Sequence, residues 1–330
     1  MSDTTIRPKR PSGGFSPKHL TGISDLSDTE LIYLLDLARY YGRLTREGQM
    51  IPQRLACRTQ VNLFLENSTR TNVSFELAGK KLGADILVLP VAASSVHKGE
   101  ALRDTCQTLA AMGADAMIVR NVEHGTSAFV ADALSEVSLP CAVINAGEGT
   151  QSHPTQALLD AVTMLDSLGR DAADGLSDIT VAICGDVRHS RVAGSNIELL
   201  QRLGASVRCV GPTEFMPEEA DYPYVEQFTD LRHGIAECQF VMGLRIQLER
   251  MKEGPAMSAP DFYNTFGLSH ETLQFAAPGA KVMHPGPMNR GVEIDGHLAD
   301  DRNHSLVLDQ VANGVSTRMA VLDALLTEQD

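Results

Sequence analysis

The stretch that decides the fold runs from residue 60 to residue 90 and reads QVNLFLE (60–66), STRTNVSFELAGKKLG (68–83) and ADILVLP (84–90). The first and third segments are largely apolar, which predicts buried strands, whereas the middle segment reads as a helix that ends at Gly83. A helical crossover between two strands makes them parallel neighbours. The stretch therefore predicts an α/β fold.

The same alternation continues on both sides of this stretch. Upstream, Ser27 and Glu30 have the spacing of a capping box before a predicted helix over 28–41. Downstream, the predicted helices and strands alternate: GEALRDTCQTLAAMG (99–113), ADAMIVR (114–120), TSAFVADALSEV (126–137), PCAVINAG (140–147), DITVAICGD (178–186), SRVAGSNIELLQRLG (190–204) and ASVRCVG (205–211). Buried strands separated by helices indicate parallel sheets that are covered on both faces. We predict an α/β protein with two doubly wound parallel-sheet domains joined by long helices.

Three segments make up the predicted domain organisation. Residues 1–18 are rich in Pro, Gly, Ser and positive charge, and are expected to form a mobile arm. The first domain is predicted to comprise 19–152 together with 313–330, which includes a last helix over about 314–326. The second domain is predicted to comprise 153–312, with a candidate mobile loop over 247–263 where charge, Gly and Pro interrupt the pattern.

Composition narrows the possible partners. The chain has 330 residues, 28 Lys and Arg against 42 Asp and Glu, and a net charge of -14, which disfavours nucleic acid and anionic membranes as partners. The six cysteines are widely spaced and form neither a CxxC pair nor a Cys/His cluster, so no metal site is expected from them. No apolar run approaches the ~20 residues that span a bilayer, and no signal sequence is evident. We expect a cytoplasmic protein.

Unusual polar residues cluster at five predicted strand-to-helix connections. They are Glu66–Thr71, Ser94–Glu100, Arg120, His153–Gln156 and Gly185–Arg191. Ligands of open α/β sheets bind beyond the carboxyl ends of the strands, where these connections lie. The first connection combines hydroxyls, a helix start and an arginine, which together suit an anion. Taken singly, each also fits an ordinary helix cap or a solvated side chain.

Taken together, these connections resemble the aspartate carbamoyltransferases over roughly residues 20–328. Seven segments follow in the family's order: NSTRTNVSFELAGKKLGAD (67–85), HKGE (97–100), IVR (118–120), SHPTQALLD (152–160), GDVRHSRV (185–192), RIQLER (245–250) and HPGPMNRGVEI (284–294). One tetrapeptide can match by chance, but seven ordered segments do not.

The resemblance implies a site for carbamoyl phosphate. Its residues would be Ser68, Thr69, Arg70, Thr71, Arg120, His153, Gln156, Pro285 and Gly286, with Ser94 and Lys98 contributed by the neighbouring subunit. Ser68–Thr71 would hold the phosphate, and Arg120 would bridge phosphate and carbonyl oxygen. His153 would donate to that oxygen, and Gln156 would bind the carbamoyl amide with backbone carbonyls near Pro285 and Gly286. Arg70, Thr71, Arg120 and His153 would be the catalytic residues. Some family members have Leu where this chain has Gly286.

The resemblance also implies a site for L-aspartate. Arg191 would bind its α-carboxylate, Arg245 and Gln247 its β-carboxylate, and Lys98 would reach the site from the neighbouring subunit. Two carboxylates need two guanidinium groups, and bidentate geometry favours Arg over Lys. The amine of aspartate would attack carbamoyl phosphate in an ordered reaction, without a covalent intermediate, metal or cofactor. The resemblance also implies a homotrimer whose active sites are shared between subunits.

Three other functions are compatible with parts of the chain. An ornithine carbamoyltransferase shares the first domain, but that enzyme carries HCLP and SMG segments where this chain has MHPGP (283–287) and LRIQLER (244–250). A non-catalytic paralogue acting as a scaffold should have lost some of the polar connections. A nicotinamide dehydrogenase would need GxGxxG, which the turn at 185–191 lacks. Related catalytic chains also pair with a regulatory chain or a dihydroorotase-like subunit. The basic arm at Arg7, Lys9 and Arg10 could make such a contact or bind a nucleotide effector.

Overall fold

The computed structural model of the chain describes residues 6–89, 101–246 and 257–327. They divide into two compact units. Unit 1 comprises Met1–Val162, Asp171–Ala173 and Ala312–Asp330, and unit 2 comprises Thr163–Arg170 and Asp174–Val311. Within the described ranges, every helix is too short or too polar to span a bilayer.

Unit 1 is built on a parallel sheet with strand order β2-β1-β3-β4. Its elements are α1 (Asp28–Arg46), β1 (Thr59–Phe64), α2 (Thr69–Lys81), β2 (Asp85–Leu89), α3 (Leu102–Ala111), β3 (Ala116–Asn121), α4 (Thr126–Ser135), β4 (Ala142–Glu148) and the start of α5 (Pro154–Leu168). The core packs Val61, Met117 and Val143 of the sheet with Cys106 and Val130 of α3 and α4. Strands β1, β3 and β4 are almost wholly buried, because both faces of the sheet are covered there.

Unit 2 contains a second parallel sheet, with strand order β7-β6-β5-β8-β9. Its elements are β5 (Thr180–Cys184), α6 (Arg191–Arg202), β6 (Ser206–Val210), β7 (Glu226–Phe228), α7 (Leu231–Ile235), β8 (Phe240–Gly243), α8 (Ala259–Phe266), α9 (His270–Leu273), β9 (Lys281–Met283), α10 (Gly296–Asp300) and the start of α11 (Val307–Leu326). The unit boundaries at 162/163 and 311/312 fall inside α5 and α11. Two parallel-sheet α/β units joined by long helices confirm the predicted fold class.

Helix α2 is held on β1 by two buried amide side chains. Gln60 Nε2 donates to the carbonyl oxygen of Phe75 at 3.1 Å, and Asn62 Nδ2 donates to Asn72 Oδ1 at 2.8 Å. Gly79 permits this close approach, because a Cβ there would lie 2.3 Å from Gln60 Oε1. The first turn of α2 is thereby fixed beyond the carboxyl end of β1.

The N-terminal segment makes specific contacts where the sequence predicts a mobile arm over 1–18. Arg7 Nη2 donates to Asp323 Oδ2 at 3.0 Å, and Arg10 Nη2 donates to the carbonyl oxygen of Thr327 at 2.8 Å. The carboxylate of Asp323 is fully buried, so it needs cationic and hydroxyl partners. These hydrogen bonds attach the segment to α11. The composition of the arm does not reveal them.

Two boundaries in the second half of the chain differ from prediction. Helix α8, whose first turn carries a proline and whose N-cap Ser258 accepts from the N–H of Asp261, covers 259–266 and includes the end of the predicted loop 247–263. The rest of that loop lies largely outside the described residues. Helix α11 begins seven residues before the predicted start at Gly314. Gly314 lies inside this helix, where it leaves room for Arg318: a Cβ on Gly314 would lie 2.8 Å from Arg318 Nη1.

Candidate active site

The turn between β1 and α2 presents hydrogen-bond donors at the edge of the first sheet. Ser68 is the N-cap of α2 with extended backbone, and its hydroxyl makes no cap hydrogen bond. Thr69 and Arg70 are exposed, whereas Thr71 is buried. The first N–H groups of an α-helix have no carbonyl partner within the helix, and the helix dipole places partial positive charge there. The turn is therefore suited to a phosphate-sized anion.

Arg120 joins the carboxyl ends of three neighbouring strands. Its backbone is in register with Phe64 at the end of β1, and its Nη1 donates to the carbonyl oxygen of Ala146 on β4 at 2.8 Å. Its Nε lies 2.7 Å from Glu66 Oε1, two residues before Ser68. These contacts hold the largely buried guanidinium of Arg120 at the same edge of the sheet as the turn between β1 and α2.

His153 and Gln156 follow the third strand end. Between β4 and α5, Glu148 and Ser152 form an isolated bridge, and both His153 and Gln156 are buried. Gln156 Nε2 donates to Asp160 Oδ1 at 2.9 Å. This bond fixes the amide so that its carbonyl oxygen points away from Asp160. The first sheet thus brings the predicted residues of unit 1 to three adjacent strand ends.

Helix α2 is also supported by Arg318, a residue that no sequence pattern indicates. Arg318 Nη1 donates to Ser74 Oγ at 2.9 Å, and its guanidinium carbon lies 5.0 Å from the centre of the Phe75 ring. Burial and the charge of Arg120 lower the pKa of Arg318 to about 9, while Asp160 acts in the opposite direction. Asp160 could have been found from its position one helical turn after Gln156, but Arg318 carries no comparable sequence signal.

The second sheet places two predicted arginines beyond adjacent strand ends. Cys184 at the end of β5 is paired with Gly243 at the end of β8, and the N–H of Leu244 donates to the carbonyl oxygen of Cys184 at 2.8 Å. Arg191 is the buried first residue of α6, the helix that follows β5, and Arg245 comes two residues after β8. Two guanidinium groups are thus carried by the connections that leave one edge of unit 2.

The connection that carries Arg191 has a constrained backbone. Gly185 has φ +122°, and a Cβ there would lie 2.9 Å from the carbonyl oxygen of Leu244. Asp186 Oδ1 lies 2.8 Å from His189 Nδ1 and accepts from the N–H of His189 at 3.2 Å. Burial raises the pKa of the Asp186 carboxyl. Glycine and the Asp186–His189 pair therefore set the path of the chain into α6.

Pro285 and Gly286 follow β9, the strand next to β8. His284 is fully buried before them, and its Nδ1 accepts from the N–H of Gly286 at 2.8 Å. Its Nε2 lies 3.2 Å from Glu293 Oε1. Gly286 has φ +68°, a conformation that glycine adopts without steric cost and that leucine would strain. The glycine that this chain has where some family members have leucine is therefore compatible with the backbone conformation.

The predicted site residues fall into two groups that the structure describes separately. Unit 1 carries Ser68, Thr69, Arg70, Thr71, Arg120, His153 and Gln156, and unit 2 carries Arg191, Arg245, Pro285 and Gly286. Three further predicted residues, Ser94, Lys98 and Gln247, lie outside the described ranges. Each unit therefore presents one set of polar residues beyond the carboxyl ends of its strands.

Two family models match the chain along almost its whole length. The aspartate/ornithine carbamoyltransferase carbamoyl-P binding domain matches residues 18–166, and the aspartate/ornithine carbamoyltransferase Asp/Orn binding domain matches residues 177–325. The chain belongs to the aspartate/ornithine carbamoyltransferase family. Each matched range contains one of the two sets of predicted site residues, that of unit 1 in 18–166 and that of unit 2 in 177–325.

Individual members of the family are similar over nearly full length. The aspartate carbamoyltransferase catalytic subunit of Granulibacter bethesdensis is 49% identical over 315 residues, which are 96% of this chain and 96% of that protein. Aspartate transcarbamoylase from Trypanosoma cruzi, solved with carbamoyl phosphate and aspartate, is 28% identical with a TM-score of 0.81 over 98% of this chain and 100% of that one. Ornithine carbamoyltransferase from Thermus thermophilus is 25% identical with a TM-score of 0.80, over 94% and 99%. The fold is thus common to both branches, and sequence identity favours the aspartate branch.

Proposed function

We propose that the protein transfers the carbamoyl group of carbamoyl phosphate to the amine of L-aspartate, giving N-carbamoyl-L-aspartate and phosphate. This is an early committed step of de novo pyrimidine biosynthesis. The observation that carries the proposal is the pair Arg191 and Arg245 beyond adjacent strand ends of unit 2. Two guanidinium groups match the two carboxylates of aspartate, whereas ornithine would place a cation there.

Carbamoyl phosphate would bind to unit 1. Ser68, Thr69, Arg70 and Thr71 would hold its phosphate through hydroxyls, backbone N–H groups and one guanidinium. Arg120 would span the phosphate and the carbonyl oxygen, and its contacts with Glu66 and Ala146 support it in that position. The anion would bind first, because its charge organises this basic turn.

His153 and Gln156 would recognise the carbamoyl group. His153 would donate to the carbonyl oxygen, and Gln156 would accept from the carbamoyl amide through its carbonyl oxygen, since its Nε2 is engaged with Asp160. Backbone carbonyls at Pro285 and Gly286 would accept from the same amide. The hydrogen bonds that His284 makes with Gly286 and Glu293 would keep those carbonyls in place.

The chemical step would be an attack of the neutral aspartate amine on the carbamoyl carbon. A C–N bond forms, the carbonyl oxygen gains negative charge, and the C–O bond to phosphate then breaks. Thr71, Arg120 and His153 would stabilise that oxygen, and each well-placed donor contributes about 3 kcal/mol to such a transition state. The departing phosphate would take the amine proton.

A homotrimer with shared sites fits an exposed apolar surface of unit 1. Strand β2 is at the edge of the sheet, where proteins usually place charged side chains or a covering element. Its apolar residues Leu87 and Val88 are instead 52% and 39% exposed. Val73 and Leu77, on the adjoining helix α2, are 46% and 43% exposed. An uncovered apolar edge strand is unusual in a monomer, so a neighbouring subunit would cover it. The chain continues from β2 directly into 90–100, which carries Ser94 and Lys98.

We also propose further partners and a cellular location for the protein. Lys98 and Gln247 would complete the aspartate site, and no nucleic acid or membrane takes part. A regulatory chain or a dihydroorotase-like subunit would add to the trimer. The basic residues of the arm contact α11 in this structure, so a second partner would have to compete for Arg7 and Arg10. A cytoplasmic location is proposed from the composition.

A substrate assay tests the proposed activity. Purified protein would be supplied with labelled carbamoyl phosphate and either L-aspartate or L-ornithine, and the products separated. We expect carbamoyl-aspartate and no citrulline. The variants Arg191→Ala and Arg245→Ala should each raise KM for aspartate roughly 10- to 100-fold, the value of a lost charged hydrogen bond, without weakening carbamoyl-phosphate binding.

Arg302→Ala provides the matched control, because Arg302 is an exposed arginine of unit 2 that pairs with Asp309. Its kinetics should be those of the wild type. Citrulline as the product would reverse the assignment to the aspartate branch. Absence of turnover with both amines in the assembled protein would instead favour a non-catalytic scaffold.

A further inference from the structure

Three side chains on the surface of unit 2 meet at one carboxylate oxygen. His270 Nε2 lies 2.9 Å from Asp301 Oδ2, and His304 Nδ1 lies 2.8 Å from the same oxygen. The two imidazole rings are nearly perpendicular, with centroids 5.8 Å apart. We refer to His270, Asp301 and His304 as the surface triad. The proposed transfer reaction uses none of them.

The donor atoms of the surface triad have the spacing of metal ligands. All three lie within 4.8 Å of one another. Zinc binds imidazole nitrogen and carboxylate oxygen at about 2.0–2.2 Å with tetrahedral geometry, so neighbouring donors around it are roughly 3.3 Å apart. To admit an ion, the distances of 2.9 and 2.8 Å would lengthen by about half an ångström, and the two imidazole nitrogens, which lie within 4.8 Å of each other, would adopt the same spacing. Two imidazoles and one carboxylate are a ligand set that suits zinc.

The backbone around the surface triad is fixed. His270 is the first residue of α9, whose N-cap Ser269 forms a capping box with Thr272. The carbonyl oxygen of His304 accepts from the N–H of Val282 on β9 at 2.8 Å. Both segments therefore hold their histidines in place without a ligand, which lowers the entropic cost of binding an ion.

A further hydrogen bond orients the carboxylate of Asp301. Asp301 Oδ1 accepts from the N–H of Asn303 at 2.9 Å, which leaves Oδ2 directed toward the two histidines. Hydrogen bonds of this kind to the outer atoms of metal ligands are typical of metal sites. The side chains of His270 and His304 are 47% and 39% exposed, so an ion can reach them from solvent.

We propose that the surface triad binds one zinc-class divalent transition-metal ion per chain. His270 Nε2, His304 Nδ1 and Asp301 Oδ2 would be its ligands, and water would complete the tetrahedron. On binding, each neutral imidazole would carry its proton on the other ring nitrogen, so the two N–H···O bonds give way to two N–metal bonds. The ion would cross-link α9 to the turn before α11.

Metal binding is measured on the full chain without a polyhistidine tag, after chelator treatment. Titration calorimetry with Zn²⁺ should give one ion per chain, and Co²⁺ should give the visible absorption of a tetrahedral centre. His270→Ala and His304→Ala should each weaken binding at least about tenfold. Asp301→Asn keeps an acceptor for the N–H of Asn303 and should weaken binding without disturbing the turn. Zn²⁺ should raise the Tm of the wild type more than that of the variants.

His233→Ala is the matched control, because His233 Nδ1 pairs with Asp230 Oδ1 at 2.9 Å without a second histidine in that pair. It should bind Zn²⁺ as the wild type does. No stoichiometric binding by the wild type would overturn the proposal, and so would undiminished binding by a His270→Ala/His304→Ala double variant. Transfer activity is a separate readout, so failure of the proposed function would leave this result intact.

Discussion

At the scale of single residues, His153 offers the sharpest test of the transfer mechanism. It is buried between β4 and α5 and is proposed to donate to the carbamoyl oxygen, whose negative charge grows toward the transition state. A donor of this kind contributes more in the transition state than in the ground state. His153→Ala should therefore lower kcat by about 100-fold or more, while KM for carbamoyl phosphate changes little. Steady-state kinetics with both substrates give the two constants.

The variant His153→Gln separates donation from simple loss of packing. Its amide N–H can donate to the same oxygen, so it should recover part of kcat relative to His153→Ala, whereas His153→Leu, which restores volume without a donor, should stay as slow as His153→Ala. A His153→Ala enzyme with a near-normal kcat would exclude His153 from the chemical step.

At single positions, the sequence indicates candidate residues where a polar side chain interrupts or follows an apolar pattern, and their roles stay predictions. Arg120 stands out because it directly follows the apolar segment ADAMIV (114–119), and His153 because it immediately precedes the proline that starts α5. Arg318 does not stand out, because it lies in a helix more than two hundred residues from the Ser74 hydroxyl that it contacts. The surface triad was missed for a similar reason, since His270 is far in sequence from Asp301 and His304. Contacts between distant segments are not encoded in local spacing.

At the scale of elements, strands and helices with strong periodicity were predicted and short ones were not. The strand–helix–strand unit over 60–90 appears as β1, α2 and β2. The short elements β7, α7, β9 and α10 have three to five residues each, too few to show a period. Their conformation comes from tertiary pairing and caps. Even so, β9 leads directly to two residues of the proposed site, Pro285 and Gly286.

The start of α1 makes a pH-dependent contribution to stability. Glu30 accepts hydrogen bonds from Ser27 within the predicted capping box and from the backbone and hydroxyl of Ser16. Burial opposes ionisation, but these hydrogen bonds lower the pKa of the Glu30 carboxyl from 4.5 to about 2. Since the folded pKa is below the unfolded one, the contribution is complete above the unfolded pKa of 4.5 and is lost as the pH falls toward the folded pKa.

Glu30→Gln should lower the free energy of unfolding near neutral pH by about 1 kcal/mol, the usual cost of a lost helix cap. The difference from wild type should shrink as the pH is lowered from about 5 to about 3. Urea unfolding across this range measures it. Glu214→Gln, at an exposed carboxyl of unit 2, is the control and should show no such trend. A constant difference at all pH values would contradict the ionic role of Glu30.

At the scale of the whole molecule, the sequence predicted two α/β domains but said little about surfaces. The fold class follows from the alternation of strands and helices, because the pattern of each strand or helix lies within its own segment of the sequence. The exposure of Leu87 and Val88 does not follow from it, because a buried strand and a strand covered by another subunit have the same apolar sequence. The apolar edge strand became visible only when the strand order placed β2 at the edge of the sheet.

A shared active site makes a quantitative prediction about mixed assemblies. If each site takes His153 from one subunit and Lys98 from the next, trimers of His153→Ala chains and trimers of Lys98→Ala chains should both be nearly inactive. A trimer that contains both kinds of chain has one site in which both native residues meet. Random mixing makes about three quarters of the trimers hybrid, so about one quarter of the sites should regain activity.

The measurement is activity after both variants are dissociated, mixed in equal amounts and reassembled. Each variant taken alone through the same procedure is the control for simple refolding, and native mass spectrometry counts the hybrids. Leu87→Glu in both variants should prevent the recovery, because a charge on the edge strand would oppose assembly there. Hybrids that form without regaining activity would mean that each site is complete within one subunit, and Lys98 would then act in its own chain.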